Sequence, residues 1–467
     1  MKVFRVFHST FAVVLCWFLF FISFFGCVSY INDYTNYYMQ PSIQKNHSKE
    51  VSLNDCIDYA QKEFKDYETI NVATPTFYNN LCEINYFNAN STKAEKKSNI
   101  AYFDGEEKYT KTPTLGAKFL FGMHYKIFPF KSTQSIIEAL ISIVAFCMFL
   151  IILSGFFIIG KKKIFELKGK NPYAKNYDFH ILVGTFIAVF LGFLSLSGIA
   201  LNYAKDIDKF FTTKVQKKQS KEKVSVDNSY IFDTNKILEF YSTASDKLGT
   251  KELIITLNKA KKQVQISPIK NINSLKSFNQ SASNNIVFDE EKILEDKSFS
   301  VKNNSFWQSV YEISFTFHRV KFAPIYLSLL LFACGILACV FIYKAMQMYA
   351  SKKKKANYLA LANSAFFSCF NASIAYLIAN KILSADLANR ALMEQSFFYA
   401  IFVLSFALSF IFYKKQSILN YFSIALLVIL LLCDFIFSYY SIVTVGFNIM
   451  WIIFIIFFAR RKNGFVI

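Results

Sequence analysis

Histidine, tryptophan, glycine and proline are all scarce in this chain. Its 467 residues include five His, three Trp, fourteen Gly and seven Pro. So little Gly and Pro excludes collagen and Gly/Pro-rich low-complexity chains. No G-x-G-x-x-G and no Walker glycine loop occurs, so a built-in nicotinamide domain and ATP hydrolysis are unsupported. The nine cysteines form no C-x-x-C and no C-x-x-C-H, which leaves c-type haem attachment equally unsupported. No catalytic triad motif is visible. Acidic residues are also few, 32 against 52 Lys and Arg, for a net charge of +20. No basic helix with interleaved aromatics accompanies that charge, so no nucleic-acid partner is expected. Much of the excess instead sits as Lys at the edges of apolar runs, where positive charge sets membrane topology.

Apolar residues are abundant. The hydrophobic fraction is 54%, mean hydropathy is +0.30, and Phe alone contributes 55 residues. Apolar runs of 18 or more residues recur, each long enough to cross a bilayer core of about 30 Å. The expected fold is a polytopic all-α membrane protein of about eight spans, at 9–29, 137–159, 181–203, 323–346, 358–380, 396–413, 418–440 and 442–459. This divides the chain into a first span (1–29), a long segment (30–136) and spans two and three with a basic loop (137–203). A second long segment (204–322), span four (323–346) and a four-span extension (357–467) follow.

The short polar segments predict orientation. Lys161, Lys162, Lys163, Lys168, Lys170 and Lys175 follow span two, and Lys352, Lys353, Lys354 and Lys355 follow span four. Lys414 and Lys415 separate spans six and seven, and Arg460, Arg461 and Lys462 close the chain. All four clusters share one side with Lys2 and Arg5, which reads as both termini in the cytoplasm of a bacterial inner membrane. The two long segments are then extracytoplasmic. Phe24 and Phe25 before Gly26-Cys27 are unlike a cleavage site, so the first span is expected to remain as an anchor. Seven cysteines lie in or beside spans and read as small packing residues. Cys56 and Cys82 lie in an outer segment, and an even pair in an oxidising compartment reads as a disulfide.

The second long segment contains a small α+β module. Residues 234–247 place Ile237, Leu238, Phe240 and Tyr241 on one side of a helix. LIITL and QVQIS then form a hairpin pattern around Asn258 to Lys262, and NIVFD at 285–289 reads as a third strand. The first long segment offers one strand-like piece, NIAYFDGEEKY.

Four of the five histidines sit at or near span ends, and they repeat. Phe7-His8 leads to Gly26, and Phe179-His180 leads to Gly198, each glycine 18 residues after its histidine. On the other face FDGEEKY leads to His124 and FDEEKILED leads to His318. His47 has no counterpart and reads as an exposed residue. Odd and even spans alternate in direction, so His8 meets His180 on the inner face and His124 meets His318 on the outer. Neutral imidazole ligates metals and serves as an axial haem ligand. The pattern allows two bis-His haems, one near each face. Eighteen helical residues rise about 27 Å, so Gly26 and Gly198 fall level with the opposite face, where a missing side chain admits a flat macrocycle or merely a close helix. Zinc fits less well, since structural sites usually take four ligands. Lys126, Arg319 and Lys321 flank the outer histidines.

This arrangement resembles the PepSY-associated transmembrane helix family. The resemblance rests on His8 with Gly26, FDGEEKY before His124, Leu153-Ser154-Gly155, His180 with Leu196-Ser197-Gly198, and FDEEKILED before His318, over about residues 1–350. It implies a PepSY-like outer module and two b-type haems ligated by His8, His180, His124 and His318. It also implies ferric-siderophore-type oxidoreductase activity in iron uptake, with electrons from an unknown donor. The chain departs from the family in lacking the usual Pro and Thr-Gly of the outer turns, keeping only Gly105, and in adding four spans. Those spans carry Asn363, Asn371, Asn380 and Asp434, and an intramembrane carboxylate marks a functional-site hypothesis. A membrane transporter, or a PepSY-type regulator of peptidase activity, remains the alternative.

Overall fold

The computed structural model describes residues 2–44, 51–92, 95, 99–110, 112–126, 134–159, 171–211, 230–269, 284–289, 292–296, 305–320, 324–353 and 356–460. His47, Lys321, Lys354, Lys355, Arg461, Lys462 and the lysines at 161–170 lie outside the described residues. Among the described residues eight helices are long and apolar enough to cross a membrane: Lys2–Tyr38, Gln134–Ile159, Tyr173–Ala204, Ile325–Lys353, Ala356–Ile382, Arg390–Ile411, Gln416–Phe437 and Ile442–Arg460. The number agrees with the sequence, and the boundaries shift. The first span extends through a 3-10 turn at Ser29–Ile31 as far as Tyr38. Its polar continuation stays helical because Tyr34, Tyr37 and Tyr38 are buried there, a packing gain that hydropathy alone does not register.

The chain divides into two compact units. The membrane unit comprises residues 1–39, 113–203 and 324–467. Within it the first span packs against spans two, four and five. Span five is the least apolar of the eight, with a mean hydropathy of 1.3, and the most enclosed, with 89% of its apolar window buried. The two properties belong together, since polar side chains at membrane depth are tolerated where protein surrounds them. Asn371 Nδ2 donates to Ser405 Oγ at 3.2 Å, and Ser423 Oγ donates to Asn371 Oδ1 at 2.7 Å. Tyr343 Oη donates to Asn363 Oδ1 at 2.9 Å.

Asp434 has a partner that the sequence reading missed. Lys381 Nζ lies 3.2 Å from Asp434 Oδ1, with both side chains fully enclosed. The same ammonium donates to the Tyr38 carbonyl and to Ser438 Oγ, each at 2.8 Å. Tyr38 Oη donates to Asp434 Oδ2. Removing one member of such a pair leaves a buried uncompensated charge, worth about 3–5 kcal/mol, whereas replacing both by apolar groups is far less costly. Asp434→Asn is therefore expected to lower the thermal midpoint of the solubilised protein sharply, and Lys381→Met with Asp434→Leu to restore much of it. An Asp434→Asn protein as stable as wild type would contradict this.

The second unit comprises residues 40–112 and 204–323. It holds one antiparallel sheet in the order β4-β3-β2-β1-β5-β6-β7-β8. Strands β1 (Thr69–Ala73), β2 (Cys82–Phe87), β3 (Ile100–Phe103) and β4 (Lys108–Thr110) come from the first long segment. Strands β5 (Leu253–Asn258), β6 (Gln263–Pro268), β7 (Ile286–Phe288) and β8 (Ile293–Asp296) come from the second. A helix precedes each set, Leu53–Glu63 and Thr234–Leu248. Both long segments therefore fold alike, as helix then four strands. The first segment thus carries more regular structure than the one strand-like piece legible in its sequence. The halves join where β1 pairs with β5, Ile70 opposite Leu257 and Val72 opposite Ile255. Alternate residues of these strands are buried, which is the period-2 signature of a half-buried sheet. Ile57, Ala60, Ile237 and Ala244 of the two helices share its core.

Cys56 of the first helix and Cys82 of β2 form a disulfide, with Cα atoms 6.2 Å apart. A crosslink closing a loop of this size typically contributes about 2–4 kcal/mol. Unreduced protein should resist thiol alkylation at both positions, and Cys82→Ala should destabilise the sheet-bearing unit by about that amount. Free thiols at both positions in unreduced protein would refute it.

Candidate functional site

The structure brings His8 and His180 together. Their ring centroids lie 6.2 Å apart, nearly perpendicular at 79°. His8 stands about two turns inside the first span, beside Gly155 of span two. A Cβ on Gly155 would lie 3.4 Å from His8 Cε1. Two residues of the same helix hold its ring, since Nδ1 lies 3.0 Å from the Ile151 carbonyl and 3.1 Å from Ser154 Oγ. A carbonyl only accepts, so Nδ1 carries the proton and the lone pair is left on Nε2, the ligating form of imidazole.

His180 is seated differently. Phe341 of span four stacks on it, with centroids 4.6 Å apart and planes 15° from parallel. Phe341 gets in because Gly184, one turn after His180, has no side chain. A Cβ there would lie 3.0 Å from Phe341 Cε2. His180 Nδ1 is buried with no hydrogen-bond partner among the described residues. Buried polar nitrogens are nearly always satisfied, so such an orphan calls for an explanation.

Both histidines line one cavity of about 720 Å³, together with Arg5, Cys16, Met148, Tyr173, Tyr177, Met346 and Lys352. That volume lies within the usual range for a cofactor or small-molecule site, about 300–1,000 Å³. Its walls are mainly aliphatic and aromatic, and the ring nitrogens, two tyrosines and two cations supply the polarity. Two imidazoles beside an apolar cavity of this size, one unsatisfied and one fixed in its ligating tautomer, suit the donor set and bulk of a haem. Among the described residues no three His, Cys, Asp or Glu side chains are grouped to hold a metal ion directly.

The second pair is divided between the units. His124 lies in the last turn of the Ala117–Lys126 helix, in the membrane unit. Its Nδ1 donates to the Ile22 carbonyl of the first span at 2.8 Å, so the lone pair again falls on Nε2. A Cβ on Gly26 would lie 2.8 Å from His124 Nδ1. Gly26 is thus required by the close approach of His124, whereas the sequence suggested either a macrocycle or simple helix packing there. His318 closes the Phe306–Arg319 helix of the sheet-bearing unit. Ser305 caps that helix, its hydroxyl accepting from Gln308 N at 3.1 Å. The flanking cations rest on neighbouring rings of their own helices, Lys126 on Tyr125 and Arg319 on Phe315.

Ile151, Phe341, Gly184, Lys381 and Tyr38 were not anticipated. Ser154 and Gly155 were visible only as part of Leu153-Ser154-Gly155. A single lysine at the end of an otherwise uncharged span five was a signal for Lys381, because a buried carboxylate needs a cation.

A helical bundle with a histidine-lined apolar cavity, and inter-span segments that form one α+β module, defines a multi-pass membrane protein of the PepSY-bearing class. The chain belongs to the PepSY-associated TM region family, whose model matches residues 5–352. No curated protein matches it by sequence. The matched region contains all four repeated histidines and ends before span five.

Proposed function

We propose that this protein carries electrons across a bacterial inner membrane through two b-type haems and reduces a ferric chelate, such as a ferric siderophore, on the extracytoplasmic side. The observation that supports it most is the His8–His180 pair over the apolar cavity, with His180 Nδ1 buried and unsatisfied. A haem bound there would supply a one-electron carrier ligated by two imidazoles. His8 would ligate through Nε2, held in place by Ile151 and Ser154. Phe341 would hold the plane of the His180 ring. Arg5 and Lys352, which line the same cavity, would pair with carboxylates of the cofactor, and the aliphatic walls would exclude water. The sequence repeat supports a second haem on His124 and His318.

The orientation, with both termini cytoplasmic, is supported by Lys352 and Lys353 after span four, Lys414 and Lys415 after span six, and Arg460 at the end of span eight. On that orientation the His8–His180 cavity faces the cytoplasm, where an electron donor would meet it. The polar groups that would favour a transporter are bonded to one another, Asn371 to Ser405 and Ser423 and Asp434 to Lys381. Absorption of the purified protein tests the reading. A Soret band that shifts on adding dithionite is the expected result, and a protein purified from haem-replete cells without one would overturn it.

A further inference from the structure

The four-span extension lies beyond the family match, and the haem reading gives it no role. It packs against span four and the first span, and it also reaches the approach to the His124 helix. Gly116, at the start of that helix, has φ of +58°. A Cβ there would lie 2.5 Å from Asn36 Oδ1, the atom that accepts from Ala117 N at 2.8 Å and caps the helix. From the extension, Tyr376 Oη donates to the Gly116 carbonyl at 3.0 Å. Thr114 Oγ1 donates to Glu394 Oε2 at 2.5 Å and accepts from Gly116 N at 3.0 Å. Glu394 is fully buried and held from its other side. Arg390 Nη1 reaches Glu394 Oε1 at 2.5 Å, and Asn380 Nδ2 donates to the same oxygen at 3.0 Å. Arg390 Nη2 in turn donates to the Asn380 carbonyl at 2.6 Å.

The middle of the helix is gripped as well. The Phe119 ring lies 4.8 Å from Tyr376 and 5.0 Å from Phe398, centroid to centroid. Tyr399 Oη approaches Met123 Sδ at 3.7 Å, one residue before His124. Spans five and six thus hold the helix at its start and along one side, while the first span receives its far end, His124 against Gly26.

We infer that the extension is the mounting of the outer histidine, and that Glu394 and Tyr376 are positioning residues for His124. The inference rests on the haem reading only for its consequence. An imidazole whose angle is set by Glu394 through Thr114 and the Gly116 turn sets the field at the iron it ligates, because groups behind a ligand tune the metal. The extension is then an added wall of an electron-transfer protein and not a separate transport module.

The test uses two mild variants of the full chain, Tyr376→Phe and Glu394→Gln, and two readouts. The first is the low-temperature electron paramagnetic resonance signal and midpoint potential of each haem. The outer haem should shift in both variants, while the inner haem, ligated by His8 and His180, stays as in wild type. The second does not need haem. With Gly26→Cys and His124→Cys introduced together, the short Gly26–His124 approach should give a disulfide under mild oxidation, mapped by mass spectrometry. Its yield should fall by half or more when Glu394→Gln or Tyr376→Phe is added. An unchanged crosslink yield together with unchanged outer-haem properties overturns the inference, as does an equal shift of both haems, which would mean general loosening. A chain without haem whose crosslink still depends on Glu394 would defeat the haem reading and leave the mounting standing.

Discussion

On the proposed two-haem reading, replacing His8 or His180 with alanine is expected to halve the haem bound per chain, from two to one, and to leave the spectrum of the remaining haem unchanged. The two substitutions should act alike, although the residues are held differently. His8 is fixed by the Ile151 carbonyl and Ser154 of span two. Removing it deletes a preorganised ligand and leaves those acceptors facing the cavity. His180 is fixed by the Phe341 ring, and its buried Nδ1 has no partner among the described residues. Losing His180 therefore breaks no protein hydrogen bond at that atom. His180→Ala apoprotein should be about as stable as wild-type apoprotein, so a loss of haem there isolates ligation from folding. Haem content by the pyridine haemochromogen method, with melting of the apoprotein alongside, reads both effects. Full haem content in both single variants would require another site.

The sequence carried the membrane class and the number of spans, and it missed the shape of the first half of the sheet-bearing unit. The reason lies in β1 to β4. TINVA and CEINYF are short, carry polar residues such as Asn71, Glu83 and Asn85 on their less buried side, and show little contrast against a polar segment. TINVA is stabilised by pairing with a strand from the other half of the chain, Ile70 opposite Leu257 and Val72 opposite Ile255. Such non-local pairing leaves no local signal. The repeat of FDGEEKY and FDEEKILED was legible and implied two copies of one unit, each with a soluble segment between its spans, without showing the strands inside the first. NIAYFDGEEKY proves to be two strands, β3 and β4, joined by a turn in which Gly105 adopts φ of +97°. Gly105 is the one family-type turn glycine the chain retains.

The inner pair was legible because spacing along helices survives folding. His8 and His180 each lie near the start of a span, and neighbouring span ends on one side of a bundle come together. What could not be read was the support behind each ring, since Ile151 contributes a carbonyl and Phe341 a stacking face, and neither side-chain type is unusual in a span. The extension illustrates the same limit. Asp434 stood out as a lone carboxylate, whereas Glu394 and Arg390, four residues apart at the start of span six, look like an ordinary helical ion pair. Only the fold places them behind Thr114.

The terminal step distinguishes the outer histidines from the inner ones. On the proposed orientation His124 and His318 both adjoin the long extracytoplasmic segments in the chain, and a ferric chelate arrives from that side. Replacing His124 or His318 with alanine should therefore reduce chelate reduction to background, while dithionite still reduces the inner haem. His8→Ala and His180→Ala should show the reverse, blocking electrons supplied from the cytoplasmic face yet leaving the outer haem reducible by an external chemical donor. His124→Ala also removes the ring that fills the space beside Gly26, so a modest stability loss should accompany it. His318→Ala does not touch that contact, and agreement between the two variants would tie the lost activity to ligation rather than to packing. The measurement is ferrous-iron release from a trapped chelate by right-side-out vesicles, with each haem followed spectroscopically. Wild-type rates in both outer variants would move the site of reduction away from these histidines, and the buried Lys381–Asp434 pair beside Tyr38 becomes the next place to test.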